Sequence, residues 1–333
     1  MTIIESFENE IKGLGYRVVL PEGPDARVLR ASRELKDRDL CQPILLGSPD
    51  DIAETAEQAG VSLDAIDIRC PQTDPVRPEF IARIEDKREK MTTEMAERLV
   101  SRPLYFGGML VADAQADTLV AGVSIPTRRV IEAGMMTLGL ADGITTPSSF
   151  FLMIVPDFQG QGPRCFIYAD CGFNIDPGPE ELADIAIASA ASAAELLPQP
   201  PKVAMLSFST HGSATHPRID KVTQALELAR RRAPGLVIDG EFQADTALSP
   251  DVAKMKLKEE SAVAGHANVL IFPDLDSGNI AYKLTQYMAG ARAVGPILQG
   301  FKAPICDLSR GATVEDIVAA AIINVRRAHR GQA

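Results

Sequence analysis

The stretch Arg17-Val18-Val19-Leu20-Pro21-Glu22-Gly23-Pro24-Asp25 decides the fold. Its apolar run reads as a strand, and the Pro, Gly and Asp that follow break the run into a loop ahead of a longer amphipathic segment. The same order recurs. Short Val/Ile/Leu-rich runs at residues 43–46, 119–121, 165–168, 203–208 and 269–272 alternate with amphipathic stretches. Strands alternating with helices predict an α/β protein with largely parallel sheets. In open parallel sheets ligands gather beyond the carboxyl ends of the strands, so the loops there are where chemistry is sought.

With 333 residues the chain exceeds what one hydrophobic core usually serves, so two domains are expected. Hydrophobic residues at 46% and charged residues at 24% exclude a disordered chain, a collagen-like fibre and a disulfide scaffold. Lys plus Arg number 34 against 45 Asp plus Glu, a net charge of -11, which argues against a nucleic-acid binder. An anionic ligand must then be held by a few local basic residues. No apolar run approaches the roughly 18 residues of a membrane helix, and the N-terminus, with Glu5, Glu8 and Glu10, lacks the order of a signal peptide. A cytoplasmic protein without membrane association is expected. The five cysteines, Cys41, Cys70, Cys165, Cys171 and Cys306, form no C-x-x-C pair and read as free thiols.

Between residues 75 and 99, alternating charges predict one solvated helix. Residues 177–197 are Ala-rich and open with Glu180, Glu181 and Asp184, which suit the positive end of a helix dipole. Residues 159–163 read as an exposed turn, and a final helix from Thr313 to about Ala328 carries Ile317, Val318, Ala321, Ile322 and Val325 on its packed face. Common signatures are missing. Gly13-Leu14-Gly15 lacks the third glycine of a dinucleotide fingerprint and precedes a strand. There is no P-loop and no G-x-S-x-G elbow, and His211 and His216 stand five apart in a loop without a zinc-site partner.

Three loops remain that can carry chemistry. Asp307-Leu308-Ser309-Arg310-Gly311-Ala312-Thr313-Val314-Glu315-Asp316 leads into the last helix. A helix N-terminus offers unpaired N–H groups, and Arg310 adds a planar cation suited to two phosphate oxygens. Thr313 with Asp316 also matches a capping box, which leaves Ser309-Arg310-Gly311 unexplained. The spacing leaves anion site and cap both open. Residues 207–217 form a small-residue loop whose N–H groups can approach a ligand closely, or an ordinary connection. Residues 272–283 contain Asp274 and Asp276, two acids that make a weak metal claim and fit loop structure better. No metal is expected.

Taken together, these segments resemble the phosphotransacetylase family, the phosphate acetyl/butyryltransferases. The matching stretches are Val19-Leu20-Pro21-Glu22-Gly23, Phe106-Gly107-Gly108-Met109, Ala169-Asp170-Cys171, residues 203–210, Ile238-Asp239-Gly240-Glu241, residues 268–283, residues 295–300 and Asp307-Leu308-Ser309-Arg310-Gly311. The resemblance implies a phosphate acetyltransferase that interconverts acetyl-CoA plus phosphate with acetyl phosphate plus CoA, by direct thiol attack in a ternary complex. CoA is a co-substrate, and no further cofactor is implied. It implies two α/β domains with the active site in the cleft between them: residues 1–145 with 296–333, and residues 146–295. Homodimers are common in the family.

The resemblance assigns Asp316 as the base for the CoA thiol, Arg310 as the phosphate binder, and Ser309 as a donor to the reacting carbonyl. A thiol of pKa about 8.5 is mostly protonated at neutral pH, and the oxyanion that forms needs a placed donor, so this allocation agrees with the chemistry. Arg88 matches a CoA-contacting arginine, and Thr127, Ser213, Asn279 and Lys283 complete the implied substrate-binding set. The chain departs from the family pattern after Gly122. A further CoA arginine is replaced by Glu132, and Arg128 or Arg129 is the candidate substitute. Two alternatives stand beside this reading: a non-catalytic acetyl-CoA-sensing domain, and an acyltransferase preferring propionyl or butyryl groups. Retention of Ser309, Arg310 and Asp316 favours catalysis.

Overall fold

The computed structural model describes residues 2–86 and 91–331. In chain order the elements are α1 (Ile3–Ile11), β1 (Arg17–Leu20), α2 (Ala26–Asp37), β2 (Gln42–Leu46), α3 (Pro49–Ala59), β3 (Asp67–Arg69), α4 (Arg77–Asp86), α5 (Thr93–Val100), α6 (Pro103–Ala112), β4 (Thr118–Ala121) and α7 (Thr127–Thr137). There follow β5 (Ser148–Val155), β6 (Arg164–Ala169), α8 (Pro179–Leu196), β7 (Val203–Leu206), α9 (Pro217–Arg232), β8 (Ile238–Phe242), α10 (Ala244–Leu248), α11 (Pro250–Lys256), β9 (Val269–Ile271), α12 (Leu275–Met288) and β10 (Arg292–Gln299). The chain closes with β11 (Ile305–Asp307) and α13 (Val314–Gly331).

Two compact units emerge, one of Met1–Gly139 with Phe301–Ala333 and one of Leu140–Gly300. In the first unit the strand order is β3-β2-β1-β4-β11, and every neighbouring pair is parallel. The buried runs at residues 18–20 of β1 and Thr118–Ala121 of β4 fit a sheet covered on both faces. The last helix returns to this unit because it is apolar where the unit needs covering. Ile317, Val318, Ala321, Ile322 and Val325 are all buried, and α13 packs on α1, α2 and β4. At its end Arg326 and Arg330 reach Glu10 on α1 at 3.0 and 2.6 Å.

In the second unit the order is β10-β5-β6-β9-β7-β8. Here β5 pairs antiparallel with both β10 and β6, and the remaining pairs are parallel. The exposed turn expected at residues 159–163 connects β5 to β6, as an antiparallel pair allows. The Ala-rich helix is α8, and its acids divide the work. Glu181 accepts from Gly178 N at 2.7 Å at the helix start. Asp184 is fully buried; it accepts from Thr145 N at 2.9 Å, Thr145 Oγ1 at 2.8 Å and Thr146 N at 2.9 Å, and it pairs with Arg232. The segment read as one helix over residues 75–99 is two, because Thr92 accepts from Met95 N at 3.3 Å and caps α5 as a new start.

Candidate functional site

In the first unit, β1, β4 and β11 lie side by side and parallel, so the loops after them emerge at one edge. Two groups organise that edge, the buried Glu22 and the half-buried Arg27, and no local sequence signal marks either for the site. Glu22, just past β1 and 7% exposed, accepts five hydrogen bonds from the loop after β4. The donors are Gly122 N at 2.8 Å, Val123 N at 3.0 Å, Ser124 N at 2.5 Å, Ser124 Oγ at 2.7 Å and Ile125 N at 2.9 Å. Glu22 can sit there because Gly23 has no side chain: a Cβ at Gly23 would stand 2.7 Å from the Leu46 carbonyl oxygen.

Arg27 is the second organiser. Its guanidinium donates to the carbonyls of Arg310 at 2.8 Å, Ala312 at 3.1 Å and Val123 at 3.2 Å, and pairs with Asp25 at 2.8 Å. The hydrogen bond from Arg27 to the Asp25 carboxylate raises the guanidinium further above its ordinary value. Burial acts upward on Asp25, but its bonds with Arg27 outweigh that and hold the carboxyl below the usual range. One cation therefore fixes the backbone after β4 and after β11 at once.

The loop after β11 presents Ser309 and Arg310 to solvent. Ser309 Oγ accepts from Gly311 N at 3.3 Å. The Arg310 guanidinium has no hydrogen-bond or ion-pair partner among the described residues, so it is free to meet an anion. Asp316 is exposed and is a true capping-box member: its Oδ2 accepts from Thr313 N at 3.0 Å and Thr313 Oγ1 at 3.1 Å, while its own N–H donates to Thr313 Oγ1 at 3.2 Å. Its Oδ1 makes no hydrogen bond among the described residues.

Thr127 opens α7 and donates to Asp307 Oδ2 at 2.5 Å, which brings Thr127 to the loop carrying Ser309 and Arg310. The α7 N-terminus has no side-chain cap. Arg129 is tied to Glu132 at 2.9 Å, whereas Arg128 is exposed and makes no ion pair or hydrogen bond among the described residues. Arg88 lies outside the described residues.

The remaining expected residues belong to the second unit. Ser213 Oγ accepts from Thr210 N at 3.1 Å and lies 3.2 Å from Ser209 Oγ, in a loop anchored by the buried Glu241, which accepts from Ser209 Oγ at 2.7 Å and Gly212 N at 2.9 Å. Asn279 Nδ2 donates to the Cys171 carbonyl at 3.1 Å, and the Lys283 ammonium sits 5.0 Å from the Tyr282 ring centre. Asp274 caps α12 through Ser277 N at 2.8 Å, as loop structure requires. His216 accepts from Arg218 N at 3.2 Å and caps α9, and His211 stacks on Phe242. Among the described residues no three His, Cys, Asp or Glu side chains come together as metal ligands, and no helix is long and apolar enough to cross a membrane.

The fold and these loops define an α/β protein whose exposed Arg310 and Arg128, with an uncapped helix start, suit an anionic substrate. A model of the phosphate acetyl/butaryl transferase family matches residues 2–325. The phosphate acetyltransferase of Clostridium acetobutylicum is 42% identical over 334 residues, spanning 99% of this chain and 100% of that one. That of Acetivibrio thermocellus is 40% identical over 98% of this chain and 97% of its own. A solved phosphotransacetylase from Streptococcus pyogenes superposes with a TM-score of 0.92 at 38% identity, over 99% of this chain and 100% of that one. The chain belongs to the phosphate acetyl/butaryl transferase family, the family its motifs resemble.

Proposed function

We propose that this chain is a phosphate acetyltransferase, interconverting acetyl-CoA and phosphate with acetyl phosphate and CoA. The observation that carries the reading is the exposed Ser309-Arg310 segment held by Arg27, in a chain similar end to end to phosphate acetyltransferases. In the acetyl-CoA-forming direction Asp316 takes the thiol proton, and the thiolate attacks the acetyl carbonyl carbon of acetyl phosphate. The carbonyl π electrons move onto oxygen, where the Ser309 hydroxyl donates a hydrogen bond. Collapse re-forms the carbonyl and breaks the bond to the phosphate oxygen, and phosphate departs with its charge on Arg310. Asp316 can serve as cap and base together because the cap engages Oδ2 and leaves Oδ1 for the thiol.

The reading includes a homodimer, supported by α12 leaving Ile280, Leu284, Tyr287 and Met288 exposed at helical spacing on one face. It also includes a cytoplasmic setting, where five free cysteines stay reduced. The test of the activity is consumption of free CoA thiol on mixing the purified chain with acetyl, propionyl or butyryl phosphate. No thiol loss with any of the three would reject an acyltransferase and favour a sensing domain. A larger kcat/KM with butyryl phosphate would move the substrate within the family.

A further inference from the structure

Asp307, the last residue of β11, is 1% exposed, and its Oδ1 has no hydrogen-bond partner. Its Oδ2 receives the Thr127 hydroxyl at 2.5 Å. Gly122 closes over the other side: a Cβ there would stand 2.4 Å from Asp307 Oδ1. The second buried acid of this edge, Glu22, is provided for in the opposite way. Five donors converge on its two oxygens, an arrangement only a carboxylate accepts in full. Of the two buried acids at this edge, Glu22 has donors on both oxygens and Asp307 has an oxygen with none, so the packing favours the protonated form at Asp307.

We propose that Asp307 is a positioning residue for the substrate: in its protonated form it donates to Thr127 Oγ1, and the Thr127 hydroxyl then turns its own proton to a phosphoryl oxygen of the acyl phosphate. A hydroxyl has one proton to give. With Asp307 ionised, that proton is spent on Asp307 Oδ2, and Thr127 offers the incoming anion only lone pairs. With Asp307 protonated, the proton is released toward the ligand, beside the unbonded N–H groups at the start of α7. The inference rests on the phosphate acyltransferase reading.

Burial pushes the Asp307 carboxyl up to about 7, with the charge of Glu22 adding to the rise and the Thr127 bond opposing it. Charged or titratable groups on the surrounding elements are Asp25 and Arg27 at the start of α2, Arg128, Arg129 and Glu132 on α7, Cys306 beside Asp307 on β11, whose thiol burial pushes far up, Arg310 in the loop that follows, and Arg327 on α13. None of them bonds to Oδ1.

The experiment is the KM for acetyl phosphate between pH 6 and 8 at saturating CoA, in the parent and in Asp307→Asn, Thr127→Val and Thr127→Ser. If only the protonated form binds productively, the parent KM rises about tenfold across this range. Asp307→Asn, whose amide always has a proton to give Thr127, shows a low KM without the rise; Thr127→Val shows a high KM at every pH, and Thr127→Ser restores the rise. A rise of the same size in Asp307→Asn, or a flat parent profile, overturns the inference while leaving the activity in place. Should Asp307→Asn not fold, an unchanged rise in Thr127→Val overturns it equally. Absence of acetyl-CoA formation by the parent at any pH instead rejects the activity itself.

Discussion

The Nη1 of Arg27 donates to the backbone carbonyl of Arg310 at 2.8 Å, across 283 residues of sequence. The contact holds the backbone of the arginine proposed to bind phosphate and leaves its side chain free. Arg27 is thus a scaffold for Arg310, since its bonds to that loop are to the main chain while the Asp25 carboxylate holds the other side of its guanidinium.

That relationship predicts the behaviour of Arg27→Lys. Lysine is a point charge without the planar fork and cannot reach Asp25, Val123, Arg310 and Ala312 together. A lost charged hydrogen bond is worth about 1.5–3 kcal/mol. The expected result is a fall in kcat/KM for acetyl phosphate of about tenfold or more, with the fold retained. A variant within twofold of the parent shows that the Arg310 loop keeps its shape without Arg27.

The α7 start predicts an asymmetry between two adjacent arginines. Arg129 is already paired with Glu132, and Arg128 is unpaired among the described residues. Arg128→Ala is therefore expected to raise the KM for CoA several-fold more than Arg129→Ala does, with the KM for acetyl phosphate little moved in either. Equal effects would mean that the Arg129–Glu132 pair opens when CoA binds.

Asp184 gives a stability prediction with a definite sign. Burial acts upward on this carboxyl, but the bonds from Arg232 and Thr145 outweigh it and hold the carboxyl below its ordinary value. A carboxyl lowered in the folded state adds stability above its unfolded pKa of about 3.9, and that stability is lost as pH falls through the folded value. Asp184→Asn is expected to cost about 2 kcal/mol at neutral pH, because the half-buried Arg232 then keeps only the Gly143 carbonyl at 2.7 Å and the longer pair with Glu180 at 3.9 Å. The gap between parent and variant narrows in acid. Denaturant midpoints at pH 7 and pH 3 measure it, and a gap that widens toward pH 3 contradicts the assignment.

Glu22 differs, because its five donors are fixed in the backbone and side chain of one loop. Glu22→Gln places an NH₂ against N–H groups that have no other acceptor, leaving at least one donor unpaired. A stability loss of about 1–3 kcal/mol is expected, read as a lower Tm, with a larger proportional loss of kcat/KM because the loop bears Thr127 at its end. Intact Tm and activity would show that the loop is held by packing alone.

What the sequence made legible follows from what is local. Residues 17–20 read as a strand and form β1 with those bounds, since an apolar run and its Pro-Gly break lie within one window. The capping box of Thr313 and Asp316 lies three residues apart, and the structure contains it. The antiparallel β10 escaped, because it carries two glycine-or-proline positions and a register shift that blur its pattern. Glu22 and Arg27 escaped as site organisers for a different reason: their partners lie about a hundred or more residues away, a separation that no periodicity encodes. Asp184 looked like a helix-dipole residue from its position in the first turns of α8. Its partners, Thr145, Thr146 and Arg232, are visible only in three dimensions.

The last prediction concerns Asp316, whose side chain caps α13 and is proposed to deprotonate CoA. The cap needs a hydrogen-bond acceptor three residues after Thr313, and an asparagine carbonyl accepts nearly as well as a carboxylate. Asp316→Asn should therefore cost a few tenths to about 1 kcal/mol of stability, a shift of a few degrees at most in Tm for a chain of this length. The base needs something an amide lacks, since an amide takes up no proton near neutral pH. Loss of a general base slows turnover by roughly 10² to 10⁴. The expected variant is folded, with a Tm close to the parent and a kcat lower by at least about a hundredfold. A more basic pH should recover part of the loss, because hydroxide then generates the thiolate that Asp316 no longer provides. If kcat instead stays within about threefold of the parent and the pH profile is unmoved, Asp316 is a cap alone and the thiol proton leaves to another group or to solvent.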